Sequence, residues 1–435
     1  MAVPEPVAVQ DKPGWLPQVG LFLTAQSVSL FGSAIVGYAV IWYVTLKTGS
    51  GGQYALLLIA SQLAMALTTI PGGVWADRYW RKALMMGADA GVAVVTLVLA
   101  ILMLYGIGSV WIIALVLALR GLGGGIQSPA VGAALPQIAP AGKLLRINSL
   151  NQALQALIQV AAPALAAVLL TYLPLGVILM VDVVTAAIGI GVTALIRIPR
   201  LVVEPVGRPE GVKGYARHVG EALRFGWQIP AFRRVVGLMV LLLTVVIPYA
   251  QMTPVFVVRL YGPEQWMLAA VEILFSVGMV VGGVAMAAWG GVRNRMTMVM
   301  AGAGAIALAT LVMGFMPSIW LFVVLMFIGG LALPVMNTPA LTALQEIVPE
   351  AMMGRMISIL TFLNVICAPI GMAIVGPLAD HLDIRWMAFA GGAVGLVVLV
   401  ALAVRGGPGS QLMAPEVGSA AEAQVAEVEV TPVEG

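Results

Sequence analysis

Apolar runs of about twenty residues recur along the 435-residue chain, separated by short polar breaks. They fall near 19–46, 53–75, 83–106, 109–133, 147–170, 175–197, 234–258, 266–289, 296–316, 319–341, 356–378 and 385–404. A run of that length crosses the hydrocarbon core of a bilayer as one helix. The runs are continuous rather than alternating, and backbone polar groups cannot stay unpaired in hydrocarbon, so helices rather than barrel strands are expected. Composition agrees: 61% of residues are hydrophobic and 9% charged, against roughly 25% charged in a soluble domain. The expected fold is an all-α integral membrane protein with twelve transmembrane helices, its solvent the lipid bilayer.

The basic residues set the orientation. With the N-terminus in the cytoplasm, 18 of the 22 Lys and Arg fall inside, while Lys47, Arg259 and Arg385 fall outside and Arg120 lies within a span. The positive-inside tendency favours this arrangement and puts the C-terminus inside as well. Basic residues gathered at the ends of apolar runs are topology signals, so the net charge of +3 does not point to nucleic acid. The lone Cys367 excludes an intrachain disulfide, and His218 and His381 are far apart in sequence. The N-terminus lacks a basic stretch followed by a short apolar core and cleavage site, so the first span is expected to act as the signal anchor.

The chain divides into a tail (1–18), six spans (19–197), a basic loop (198–233), six spans (234–405) and an acidic tail (406–435). In the loop, GYARHVGEALRFGWQI places Val219, Leu223 and Trp227 at helical spacing, the pattern of an interfacial helix, with a solvated linker as the alternative. The last segment has five Glu and no Lys or Arg, the composition of a disordered tail. The two sets of six are related. ALPQIAPAGKLLRINS (134–149) and ALQEIVPEAMMGRMIS (343–358) share Ala, Leu, Ile, Pro, Arg and Ser at one offset, pairing Arg146 with Arg355. Ser128-Pro129-Ala130 is echoed by Thr338-Pro339-Ala340, and Ala162-Pro163 by Ala368-Pro369. Equivalent positions in halves of the same topology mean a parallel duplication, hence two six-helix bundles.

Between the second and third runs lies a knot of charge, GGVWADRYWRKA (72–83). Gly72 and Gly73 are expected to let helix backbones approach closely. Asp77 can pair with Arg81 or accept hydrogen bonds from the free N-terminal amides of another helix. Such contacts would latch the cytoplasmic ends together. A pure topology signal would need Arg78, Arg81 and Lys82 but not Asp77.

Twelve spans, a duplicated half and a long basic middle loop resemble the major facilitator superfamily. The family signature between spans two and three is matched by Gly73, Asp77, Arg78, Arg81 and Lys82, with Trp80 where Gly is usual. LALRGLGGG around Arg120 is similar to the family's fourth-span motif. In the fifth span, Ala162-Pro163 and Ala166-Ala167 stand where the antiporter motif has Gly-Pro and Gly-Gly. The runs ADRYWRKALMMGADAG and RGLGGGIQSPAVGAALPQIAP most resemble the macrolide-efflux and enterobactin-exporter-like branch. The resemblance implies a proton-coupled exporter of small molecules in the cytoplasmic membrane, working by alternating access.

Charges within spans are costly, about 2.5–3.5 kcal/mol on insertion scales, and each is a functional candidate. Asp89 is expected to join the latch, pairing with Arg146 or an arginine of the knot. Asp182 and Glu272 lie deep in spans six and eight, and Arg120 has three candidate partners: Asp182, Glu272 or an anionic substrate. Glu272, with Ser276 one turn on, is the first choice for the proton, since a carboxylate that must shed its charge to be occluded gives proton coupling a mechanism. A structural hydrogen bond between helices is the alternative.

Uncharged polar residues form stripes at helical spacing. Asn148, Gln152, Gln155 and Gln159 share one face of span five; Gln26, Ser29 and Ser33 one face of span one. Thr244, Pro248 and Gln251 do so in span seven, beside Tyr249, and Ser358, Thr361 and Asn364 in span eleven. These faces either line a substrate cavity or join helix to helix. A mostly apolar cavity with scattered hydrogen-bonding groups suits an amphipathic solute. The chain is expected to act as a monomer, with small-molecule substrate and protons as partners and no cofactor. GLGGG (121–125) lies in a span and follows no strand, so it is no nucleotide loop, and nothing indicates an enzyme. Two other readings stay open: a metabolite or siderophore transporter of narrow specificity, and a membrane sensor or assembly partner that does not transport.

Overall fold

The computed structural model describes residues 14–140, 143–199, 240, 244, 246–289, 295–347 and 350–405. The expected interfacial helix of the middle loop and the acidic tail lie outside them. The described residues form α1 (Trp15–Thr48), α2 (Gly51–Arg78), α3 (Arg81–Leu104), α4 (Val110–Ile138), α5 (Leu144–Tyr172), α6 (Leu175–Leu195), α7 (Ile247–Gln251), α8 (Thr253–Tyr261), α9 (Gln265–Trp289), α10 (Arg295–Met313), α11 (Ile319–Ile347), α12 (Glu350–His381) and α13 (Ile384–Arg405). Nine of the helices among the described residues are long and apolar enough to cross a membrane, and shorter apolar helices run over 297–313 and 366–381. The seventh predicted run is only partly described.

Local chemistry sets the helix ends. Gly49 closes α1 in the left-handed region (φ 58°) and donates its N–H to Thr45 O. Ser50 caps α2 through its hydroxyl, which accepts from Gln53 N–H at 3.1 Å. A glycine at the exit and a serine at the entry reverse the chain within two residues. Aromatic rings mark other ends: Tyr105, Trp111, Tyr172, Trp289, Trp320 and Trp386 are all strongly exposed. Rings at these depths suit the lipid–water interface, and the exposed Leu and Val between them suit acyl chains.

The helices sort into two compact units: Met1–Val212 with Met252–Ser276 and Met372–His381, and Lys213–Gln251 with Val277–Gly371 and Leu382–Gly435. In the first, α2 and α4 touch backbone to backbone. A Cβ on Gly121 would lie 2.3 Å from Ser61 O, on Gly125 2.4 Å from Met65 O, and on Gly72 2.6 Å from Gly125 O. Lipid tails are as apolar as the side chains, so helix association relies on such close packing. In the second unit α9 meets α11 the same way: a Cβ on Gly278 would lie 2.3 Å from Phe327 O, next to the Cα of Gly330. Gly330 sits at the repeat offset from Gly121, so equivalent helices of the duplication make the same kind of joint.

Candidate functional site

Two polar clusters occupy the interior of the first unit. Asp182 of α6 is fully buried and forms an ion pair with Arg120 of α4. It also accepts from Ser33 Oγ (2.6 Å) and Thr96 Oγ1 (3.0 Å). Arg120 donates to Thr96 Oγ1 and to Ser33 O (3.3 Å). Of the three partners open to Arg120 in the sequence, the structure selects Asp182. The second cluster centres on Asp89 of α3, also buried, which accepts from Ser29 Oγ (3.1 Å) and Gln127 Nε2 (2.6 Å). The expected pairing of Asp89 with Arg146 is not made: Arg146 is exposed, while Asp89 faces α1 and α4.

The polar stripe of α1 meets both clusters. The stripe is open to two readings, cavity lining or helix joining, and the hydroxyls of Ser29 and Ser33 donate to the two buried carboxylates. Gln26, on the same face, has a buried Nε2 with no hydrogen bond partner among the described residues. Burying a carboxylate is tolerable only when its lone pairs are satisfied, and serine is the smallest donor that fits between close helices.

Glu272 stands apart. It lies half-buried on α9, near Tyr38 of α1 and Tyr54 of α2. Neither an ion pair nor a hydrogen bond to its carboxylate is present among the described residues. Ser276, one turn on, is buried. On the same helix, Trp266, Ala269 and Ile273 face Val168, Thr171 and Tyr172 of α5 across an apolar cleft of about 360 Å³. The α5 residues Asn148, Gln152, Gln155 and Gln159 are all exposed, so none is consumed in helix packing. In the second unit, the ring of Tyr249 packs against Gly391 of α13, where a Cβ would lie 2.4 Å from it, and Gln251 is half-buried. The side chains of Asn364 and Arg355 fall outside the described residues.

The basic residues of the knot meet helix ends. Arg81 donates to Ala76 O (2.9 Å) and Ala133 O (2.9 Å), and Lys82 to Ala194 O (2.6 Å) and Ile196 O (2.9 Å). Cations here meet the carbonyl-rich C-terminal ends of α2, α4 and α6, the favourable end of each helix dipole. Trp80, the departure from the family signature, donates its indole N–H to Ile198 O at 3.1 Å, and Lys82 sits 5.7 Å from its ring centre. Arg78 is exposed. Gly72 makes the expected close contact, but Gly73 faces open space. These basic residues thus stitch helix ends within the first unit, and the Asp77 side chain falls outside the described residues. At the opposite end of the helices the structure joins two residues that sequence reasoning passed over: Arg259, read only as an external charge, and Asp380, given no role, form an ion pair at 2.7 Å.

A bundle of long apolar helices with charges paired in its interior is the architecture of a membrane transporter. The family model of the Major Facilitator Superfamily matches residues 22–296 and 264–428, and the chain belongs to that superfamily. It is 28% identical over 384 residues to macrolide efflux protein A of Streptococcus pyogenes, covering 86% of this chain and 93% of that protein. It is also 28% identical over 377 residues to the multidrug efflux pump Tap of Mycobacterium tuberculosis (strain ATCC 25618 / H37Rv), covering 83% and 86%. Solved structures share the fold at lower identity. A POT family transporter in complex with 5-aminolevulinic acid superposes with TM-score 0.71 at 11% identity, covering 91% of this chain and 96% of that one. A bacterial homologue of the iron transporter ferroportin, in its inward-facing state, gives 0.69 at 16%, covering 89% and 98%.

Proposed function

We propose that this chain exports amphipathic, drug-like molecules from the cytoplasm in exchange for protons, as a monomer in the cytoplasmic membrane with both termini inside. Two six-helix bundles, 19–197 and 234–405, alternate the access of a site between them. The efflux relatives support the direction and the solute class, with macrolides the first compounds to try. One observation carries the proton assignment. Of the three carboxylates deep in the spans, Asp89 and Asp182 are engaged by hydrogen bonds or an ion pair, and Glu272 has neither among the described residues. A carboxylate free of such ties can take up and release a proton without dismantling the fold. The exposed Gln152, Gln155 and Gln159 supply hydrogen-bonding groups for the polar side of the solute. Each charge carried inward down a potential of 100 mV releases about 2.3 kcal/mol.

The test is proton movement in proteoliposomes with an internal pH dye, comparing wild type with Glu272→Gln across macrolides, lipophilic drugs and siderophores. Solute-triggered proton flux that the variant loses is expected. Solute movement without protons in the wild type would overturn the coupling, and a variant coupled as well as wild type would overturn the role of Glu272.

A further inference from the structure

Asp380, at the end of α12, reaches the start of α2. Its Oδ1 accepts from Gly51 N–H (2.8 Å), and its Oδ2 from Gly52 N–H (2.9 Å) and Ser50 Oγ (2.8 Å). A carboxylate thus sits on the free amides of a helix N-terminus, where the dipole favours negative charge. Arg259, at the end of α8, completes the junction. It donates to Asp380 Oδ1 (2.7 Å), Gly49 O (2.7 Å) and Ala379 O (2.5 Å), covering the last carbonyls of α1 and α12. Three segments distant in sequence meet at two charged side chains, one segment from the first six spans and two from the second.

Beneath these charges the helices are in contact through their smallest residues. A Cβ on Gly51 would lie 2.6 Å from Ala379 Cβ and 2.7 Å from Gly376 O, and one on Gly376 would lie 2.2 Å from Ala55 Cβ. The contact is close, and the long side chain that reaches it is Met252, whose terminal methyl would lie 2.7 Å from a Cβ on Gly51. The ion pair stays partly wet, with side chains 27% and 30% exposed. Its groups therefore regain most of their hydration when parted, unlike a fully buried pair.

We propose that Arg259, Asp380 and the Ser50-Gly51-Gly52 turn form a releasable gate, which closes this end of the transporter and opens once in every cycle. This rests on the alternating-access reading. Asp380 and Arg259 are positioning residues: they hold helix ends, not solute. A carboxylate on another helix's amides, the contact open to Asp77 at the other end, is made here by Asp380.

Two measurements test the gate, both in a Cys367→Ala background. First, Met252→Cys is labelled with a maleimide in nanodiscs, which expose both ends. Met252 is fully buried and its methyl lies against Gly51, so reaction reports parting of the junction. Adding Asp380→Asn or Arg259→Gln is expected to raise the labelling rate about tenfold, the scale of one lost charge-assisted hydrogen bond. Second, Ser50→Cys with Asp380→Cys is oxidised to a cross-link, which is expected to stop transport until a reductant is added. Labelling unchanged by either substitution, or transport by the cross-linked protein at the reduced rate, would overturn the proposal. The labelling needs no substrate, so the gate is judged even if no compound moves and the export reading fails.

Discussion

Asp182→Ala removes the carboxylate that neutralises Arg120, and the size of the loss follows from where the pair sits. The Asp182 side chain is wholly buried and that of Arg120 is 10% exposed. The substitution leaves a guanidinium facing Thr96 Oγ1 and the Ser33 carbonyl, with no opposing charge. Breaking a buried pair from one side costs about 3–5 kcal/mol, or roughly 10² to 10⁴ in the unfolding constant. Replacing both partners with apolar residues, Arg120→Met with Asp182→Leu, removes the charge as well as the pair and is expected to restore most of that loss. Denaturation titrations with SDS in mixed micelles compare the three proteins. If this pair is scaffold and Glu272 carries the proton, the double variant also keeps solute-driven proton flux. A cost below about 1 kcal/mol for Asp182→Ala would refute the burial argument. A stable double variant that binds solute but moves no protons would return Arg120 and Asp182 to the coupling machinery.

Gly121→Leu forces α4 away from Ser61 O, which already lies 2.3 Å from the position of a Cβ, and is expected to abolish folded yield in a detergent-extraction assay. Gly73→Ala meets open space in mid-helix and is expected to stabilise by about 0.5–1 kcal/mol in the same SDS titration. Gln155→Leu, at an exposed stripe position, should leave stability unchanged and narrow the range of solutes that trigger proton flux. The gate should be insensitive to pH across the neutral range. Burial pushes the exposed helix-end carboxyl of Asp380 up, but Gly52 N–H, the Ser50 hydroxyl, Gly51 N–H and Arg259 together hold it below the ordinary 3.8. A depressed pKa contributes closure above the open-state value and loses it as pH falls through the closed-state value, so the distance between spin labels at Gln53 and Glu264 should stay constant from about pH 8 to pH 5 and lengthen only in stronger acid.

The helices were legible because lipid gives the backbone no other partner, so run length alone defined them. Hydrophobic run 53–75 became α2, Gly51–Arg78, and run 266–289 became α9, Gln265–Trp289. Partner choice was not legible. Helical spacing shows that Gln26, Ser29 and Ser33 share a face, but not which way that face points, and two buried carboxylates from α3 and α6 turned out to occupy it. Nor does spacing choose among partners for Arg120, because all three candidates lie on other helices. Trp80 looked like a lapse in the family signature and became a donor to the Ile198 carbonyl. Asp380 did leave a signal. An aspartate at a helix C-terminus opposes the dipole of its own helix, so it is favoured there only if something else holds it. Ser50-Gly51-Gly52, opening a helix with bare amides, was the matching half.

Two ion pairs among the described residues of the first unit, Arg120–Asp182 and Arg259–Asp380, separate scaffold from moving part. Parting Arg120 from Asp182 would strand charge in an interior that water does not reach, so no transport cycle can afford to open it. Parting Arg259 from Asp380 returns both groups to water that already touches them. A gate of that kind holds its closed state by a few kcal/mol, enough to keep the open state a minor population and small enough for a ligand or a proton to reverse. The packing beneath each pair agrees with this division. Gly32, close by Ser33 on α1, faces Thr185 of α6 at an interlocked contact, whereas Gly51 and Gly376 meet each other and alanines, with the flexible end of Met252 beside Gly51. Where side chains interlock, helices move as one body; where small residues merely touch, they can part and meet again. The chain thus puts its strongest charges on both kinds of joint and distinguishes them by how much water each is allowed to keep.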